Sequence, residues 1–64
     1  MSRKKLKEYR ILLKKTQAEM AKTWGITLSF YSKIESGDKN PSIQNLREFK
    51  KIFSDANIDE IFLS

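Results

Sequence analysis

The sequence predicts an all-α fold of five short helices. Its apolar residues recur three and four positions apart, and no segment shows the sustained alternation of polar and apolar residues that is typical of a strand. Residues that favour helix N-termini, and glycines that end helices, also divide the chain into short segments. A chain of 64 residues has room for one small hydrophobic core. We therefore predict a single domain over residues 1–64.

The first helix is predicted to run from a cap at Ser2 to about Lys15. The residues expected on its inner side share helical spacing: Leu6, Tyr9 and Leu13, with Ile11 and Leu12 widening the apolar stripe.

The second helix is predicted to begin at a capping box and to end at a glycine. Thr16 and Glu19 have the S/T-x-x-E spacing, in which each side chain satisfies a backbone donor of the first turn. Gly25 accepts the left-handed conformation that ends a helix. The residues predicted to face the core are Ala18, Met20, Ala21 and Trp24.

The third helix is predicted over about residues 28–36, between a cap at Thr27 and a terminating Gly37. Tyr31 and Ile34 are three residues apart and are expected to face inward together.

Two further helices complete the chain. Ser42, after the loop that ends in Pro41, is predicted to cap a fourth helix that reaches about Phe53. Its inner residues are predicted to be Ile43, Leu46, Phe49 and either Ile52 or Phe53. Asn57 is predicted to cap a short last helix through Ile61, Phe62 and Leu63.

Charge is distributed unevenly. The chain carries a net charge of +5, which suits a polyanionic partner. Residues 1–15 hold seven Lys and Arg residues and one acidic residue, whereas residues 54–64 hold three acidic residues and no basic one. We interpret the basic face of the first helix as solvated surface rather than as a phosphate-binding or membrane-binding face.

Two short helices joined by a glycine-containing turn, over about residues 16–36, have the sequence form of a helix-turn-helix. The segments that carry a wider pattern are Thr16-Gln17-Ala18-Glu19-Met20-Ala21, Gly25-Ile26-Thr27, Ser32-Lys33-Ile34-Glu35-Ser36-Gly37, Pro41-Ser42 and Ile58-Asp59-Glu60-Ile61-Phe62. Together they resemble the Cro/repressor-type (XRE) helix-turn-helix family, which has the lambda-repressor-like fold. The resemblance covers essentially the whole chain.

This resemblance implies binding of double-stranded DNA, with the third helix in the major groove. It implies base contacts from Leu28, Ser29, Ser32, Lys33 and Gln17, of which Lys33 is best suited to the O6 and N7 acceptors of guanine. It implies phosphate contacts from Gln17, Lys39, Asn40 and Ser42.

The resemblance also implies a structural ion pair between Arg10 and Glu35. The chain departs from the family pattern in three places. Tyr31 replaces a usual Ile or Val, Lys14 and the following Lys15 replace a usual glycine and a usual apolar residue, and Leu28 replaces a usual polar residue.

The function expected from the resemblance is that of a transcriptional regulator, most often a repressor, which binds an inverted-repeat operator as a homodimer. The surface predicted to join two copies is apolar and lies in the last helix: Ile58, Ile61, Phe62 and Leu63. Covering the protein's own core is the alternative role for these residues.

Other functions on the same fold stay open, namely an antitoxin, a phage-switch protein or a restriction-modification controller. A protein-interaction module with no autonomous DNA reading is a rival from another class. A membrane-surface peptide led by residues 2–15 is weaker, because the other helices need the apolar face of the first helix for their core.

Catalysis has little support in the sequence. There is no cysteine or histidine, which excludes disulfides and the usual zinc sites and removes the commonest general base. We predict no enzyme activity, no cofactor and no metal. No apolar run has the length of a signal peptide or membrane span, so the cytoplasm, and the nucleoid when DNA is bound, is the expected location.

Overall fold

The computed structural model describes residues 2–63 and places five helices around an aromatic core. The helices are α1 Lys4–Leu12, α2 Gln17–Trp24, α3 Leu28–Ser36, α4 Ile43–Ile52 and α5 Ile58–Phe62. None of residues 2–63 lies in a strand, which confirms the predicted all-α class. No helix within this range is long and apolar enough to span a membrane.

Capping chemistry sets the ends of α2 and α3. The Thr16 hydroxyl accepts the Glu19 N–H at 3.1 Å, and the Glu19 carboxylate accepts the Thr16 N–H at 2.8 Å, which completes the predicted capping box. Gly25 and Gly37 end the two helices with φ of +85° and +91°. The predicted helix-turn-helix is therefore formed by α2 and α3.

The first helix is shorter than predicted. Arg3, rather than Ser2, occupies the N-cap position, and no side chain caps the helix. The helix ends at Leu12 because the chain turns at Lys14, which has the left-handed φ of +59°. The predicted cap at Ser2 was therefore wrong by one residue, and the predicted end near Lys15 by three.

Aromatic rings fill the centre of the core. Trp24 packs edge-on against Phe49, with ring centroids 4.8 Å apart, and its indole N–H donates to the Asn45 carbonyl at 2.9 Å. Phe62 packs against both Trp24 and Phe49. The buried apolar residues are Leu6, Met20, Ala21, Trp24, Tyr31, Ile34, Phe49, Phe53, Ala56, Ile61 and Phe62.

Several residues predicted to face inward are exposed instead: Ile11, Leu12, Ala18 and Ile43. Of the two alternatives at the end of α4, Phe53 is buried and Ile52 is exposed. With about 3.6 residues per turn, Ile11 lies nearly opposite the stripe of Leu6 and Tyr9, and Leu12 lies about a quarter turn from it. Ala18 and Ile43 occupy first helical turns, where side chains lean past the helix end and away from the core.

The last helix covers the core, so the predicted pairing surface was wrong for two of its four residues. Asn57 caps α5 by accepting the Glu60 N–H at 3.1 Å. Ile61 and Phe62 are buried against the protein's own aromatic cluster, so they are not available to a partner. Ile58 is half-buried, and Leu63 is 74% exposed.

Packing of α1 against α3 and α5, and of α2 against α3 and α4, fixes the position of α3. Tyr31 and Ile34 hold its inner face in the core, as predicted. The opposite face of α3 points away from the other helices.

Candidate DNA-binding surface

A buried carboxylate, Glu35, joins α1, α2 and α3 through hydrogen bonds, beneath the face of α3 that points away from the other helices. Glu35 is 6% exposed and accepts two hydrogen bonds from Arg10, at 3.0 and 3.2 Å. The Tyr31 hydroxyl donates to Glu35 at 2.6 Å, and the Gln17 amide donates at 3.0 Å. Each carboxylate oxygen thus accepts two donors, which compensates the cost of burying its charge.

These contacts set the protonation states of the cluster. Burial alone would raise the pKa of Glu35, but the hydrogen bonds from Arg10, Tyr31 and Gln17 outweigh it, and the pKa lies below its usual value. The hydrogen bond to Glu35 raises the pKa of Arg10, and burial, together with the same carboxylate, raises the pKa of the Tyr31 hydroxyl. At neutral pH the cluster therefore holds an ionised pair and a neutral tyrosine.

Gln17 links this cluster to the predicted base-reading residues. Its amide nitrogen donates to Glu35, and its amide oxygen accepts the Ser32 hydroxyl at 3.0 Å. Gln17 is half-buried because it lies on the same side of α2 as Met20 and Trp24. Protein contacts thus orient both Gln17 and Ser32. Gln17 retains one amide N–H and one lone pair on its amide oxygen, whereas Ser32 retains only the acceptor lone pairs of its hydroxyl.

The outer face of α3 carries the other residues predicted to contact bases. Ser29 and Lys33 are exposed, and within residues 2–63 neither side chain has a hydrogen-bond or ion-pair partner. Leu28, in the first turn, is 49% exposed. Residues 28, 29, 32 and 33 lie on one side of α3 by helical spacing, so the four predicted α3 residues lie together.

The predicted phosphate contacts after α3 lie in the loop to α4. Lys39 and Asn40 are exposed, but the Asn40 side-chain oxygen already accepts a hydrogen bond from Arg3. The Ser42 hydroxyl and N–H both donate to the Asn45 side chain in the α4 cap. Ser42 therefore serves the helix start, and its hydroxyl proton is already in use.

Arg3 is a structural residue that the sequence interpretation missed. Its guanidinium donates to the Ile34 carbonyl at 2.6 Å and to the Lys39 carbonyl at 3.0 Å, as well as to Asn40. Its backbone N–H donates to the Glu35 carbonyl at 2.7 Å. Nothing in the sequence distinguishes Arg3 from the lysines beside it, because its acceptors belong to a segment more than 30 residues away.

Comparison with known families agrees with this geometry. A family model described as Helix-turn-helix matches residues 6–54, which include all of α2 and α3. The chain therefore belongs to this family, the Cro/XRE-type helix-turn-helix proteins. Membership identifies a DNA-binding domain rather than an enzyme.

A curated relative points to the kind of regulator that carries such a domain. The cryptic phage CTXphi transcriptional repressor RstR of Vibrio cholerae serotype O1 is 37% identical over 59 residues, which are 92% of this chain and 52% of the relative. The chain thus spans about half the length of the relative that it matches. No solved structure gives a significant match to the chain.

Proposed function

We propose that residues 1–64 form the DNA-binding domain of a transcriptional repressor, which binds an inverted-repeat operator as a homodimer. The outer face of α3 is the observation that carries this proposal. It presents Leu28, Ser29 and Lys33 to solvent while the inner face is fixed in the core. An exposed, rigid helix of this kind is what a major groove admits.

Each residue of this face has a role that follows from its chemistry. The Lys33 ammonium would donate to guanine O6 or N7, and Ser29 would donate to or accept from several bases. Leu28 offers only apolar contact, which suits a thymine methyl group. Ser32 and Gln17 would approach the DNA as a hydrogen-bonded pair, with Gln17 reaching a phosphate or an outer base from the start of α2.

The loop between α3 and α4 would bind the DNA phosphates that flank the base contacts. The exposed Lys39 ammonium and the Asn40 amide nitrogen are donors on this side. Because the donors of Ser42 are engaged with Asn45, its phosphate contact would depend on the backbone N–H groups of the first α4 turn.

Different observations support the roles of repressor and of homodimer. The relative RstR is a transcriptional repressor, which supports the same role here. A single recognition helix makes few base contacts, so two domains on half-sites about 34 Å apart would raise affinity through their high effective concentration. Of the predicted pairing surface, Leu63 remains exposed and Ile58 is half-buried.

Selection of purified protein against a randomised duplex library at about 150 mM salt tests the proposal, since non-specific phosphate binding is weakened at that salt concentration. We expect enrichment of an inverted repeat with half-sites about one helical turn apart. Salt-sensitive retention of all duplexes without an enriched motif would contradict the proposal and favour a protein-interaction module.

A further inference from the structure

A basic groove of about 310 Å³ borders the outer face of α3. One wall is the start of α1, with Arg3, Lys4 and Lys7. The other wall carries Gln17, Ser32 and Ser36. Ser32 and Ser36 lie on the same side of α3 as Lys33. The groove therefore continues the candidate DNA-binding surface sideways onto the first helix.

The lysines of α1 divide between two sides of the helix. Lys4 and Lys7 are one turn apart on the groove side, and within residues 2–63 neither has an acidic partner within 4.0 Å. Lys5 lies on the other side, where its ammonium is 3.7 Å from Glu8 and 4.0 Å from Glu60. Among the lysines of α1, those on the groove side are therefore the ones without a nearby carboxylate.

Negative charge in the groove is already compensated. Glu35 is the acidic residue in its lining, and the carboxylate is buried and paired with Arg10. The groove therefore has a positive potential, to which Lys4 and Lys7 contribute most directly.

The position of these lysines relative to α3 is fixed by Arg3. Its side chain and backbone bond to the carbonyls of Ile34 and Glu35 at the end of α3, and its guanidinium also reaches the following loop. A cation at a helix C-terminus is favourable because of the helix dipole. Lys4 and Lys7 are thus carried on a segment joined directly to the recognition helix.

From this placement we infer that Lys4 and Lys7 bind the DNA backbone beside the half-site read by α3. The inference rests on the proposed function. A helix seated in the major groove has a phosphate strand along each side, and the groove lies at one side of α3. Contacts of this kind position the protein and raise its affinity without reading sequence.

The test measures DNA affinity between 50 and 200 mM salt for the variants K4Q, K7Q and K4Q/K7Q. The control is K5Q, which removes the same charge from the other side of the same helix. Each protein is titrated with the duplex enriched by selection and with a scrambled duplex of equal length. Melting temperatures of all variants establish that each one folds.

We expect K4Q and K7Q each to reduce the slope of log affinity against log salt by about 0.9 per protomer, and the double variant by about twice as much. The affinity for both duplexes should fall by the same factor, because phosphate contacts carry no sequence information. K5Q should keep the wild-type slope.

An unchanged slope for K4Q and K7Q, with the sequence preference intact, would overturn this inference and leave the proposed function standing. An equal loss in K5Q would also overturn it, because the effect would then be one of net charge. Loss of binding to anionic lipid vesicles in K4Q/K7Q, with DNA slopes unchanged, would assign the groove to a membrane surface instead. Wild-type protein that binds neither duplex at 50 mM salt would contradict the proposed function itself.

Discussion

The Tyr31 hydroxyl donates a 2.6 Å hydrogen bond to the Glu35 carboxylate, one turn further along α3. The Tyr31 ring is buried edge-on against Trp24, with centroids 6.1 Å apart. A residue that departs from the family pattern thus fills the core with its ring and supplies Glu35 with a donor that Ile or Val would lack.

The Y31F variant tests the contribution of this donor. The ring and its packing are kept, while one of four hydrogen bonds to a buried charge is lost. We expect the free energy of unfolding to fall by about 1.5 kcal/mol, measured by urea denaturation. A variant as stable as the wild type would mean that a water molecule or a shifted Arg10 replaces the hydroxyl.

The buried carboxylate also predicts a pH dependence of stability. The folded pKa of Glu35 is below that of an unfolded glutamate, about 4.3. Its ionised form therefore stabilises the fold above that pH, and the contribution is lost as the pH falls through the lower folded value. E35Q should be less stable than the wild type at pH 7, with a difference that narrows towards pH 3.

Urea denaturation at pH 7, 5, 4 and 3 measures this dependence. The control is E8Q, which removes an exposed carboxylate from α1. Its difference from the wild type should stay small throughout, because exposed pairs contribute little. A constant gap between E35Q and the wild type across this range would show that ionisation of Glu35 does not stabilise the fold.

Backbone conformation predicts a stabilising substitution in the turn after α1. Lys14 has a φ of +59°, which costs a non-glycine residue about 1 kcal/mol. Glycine avoids this cost, although its larger loss of chain entropy on folding offsets part of the gain. K14G should therefore raise the melting temperature by only a few degrees.

The reciprocal change is G25A. Gly25 has a φ of +85°, and an added Cβ would meet no atom within 4 Å, so the expected loss of about 1 kcal/mol comes from conformation alone. Differential scanning calorimetry of both variants measures the opposite shifts. A lower melting temperature for K14G would show that Lys14 makes stabilising contacts of its own.

Dimerisation through the last helix predicts that the L63D variant is a monomer. Leu63 is 74% exposed, so an aspartate there should leave the protomer folded while it separates two copies. The control is L12D, which changes an equally exposed leucine, 76%, on α1. Sedimentation velocity should find a dimer for the wild type and L12D and a monomer for L63D. A dimer that survives in L63D would place the interface elsewhere.

The sequence predicts α2, α3 and the turn between them well, because local chemistry decides them. Thr16 and Glu19 satisfy their own backbone groups, and Gly25 and Gly37 end helices through conformational freedom that needs no distant partner. Trp24 is predicted for the core, and is buried there, because its large ring lies at helical spacing with the other apolar residues of α2 and gains most from burial.

Tertiary packing decides what the sequence could not predict. Ile11 and Ile43 have the apolar character of core residues, yet the position of the neighbouring helices leaves them at the surface. The links of Arg3 to the end of α3, and of Gln17 to Glu35 and Ser32, join segments far apart in the chain. Their polar side chains are compatible with many other partners, so residue type alone does not select these contacts.

Duplex selection with K33A tests most directly whether the outer face of α3 reads bases. The control is K51A, which removes an exposed charge from α4. We expect K33A to lose its preference at one base pair in each half-site, a loss of about 1–3 kcal/mol of discrimination, while K51A enriches the wild-type motif unchanged. An unchanged motif for K33A, or an equal loss of preference at every position, would contradict base reading by α3.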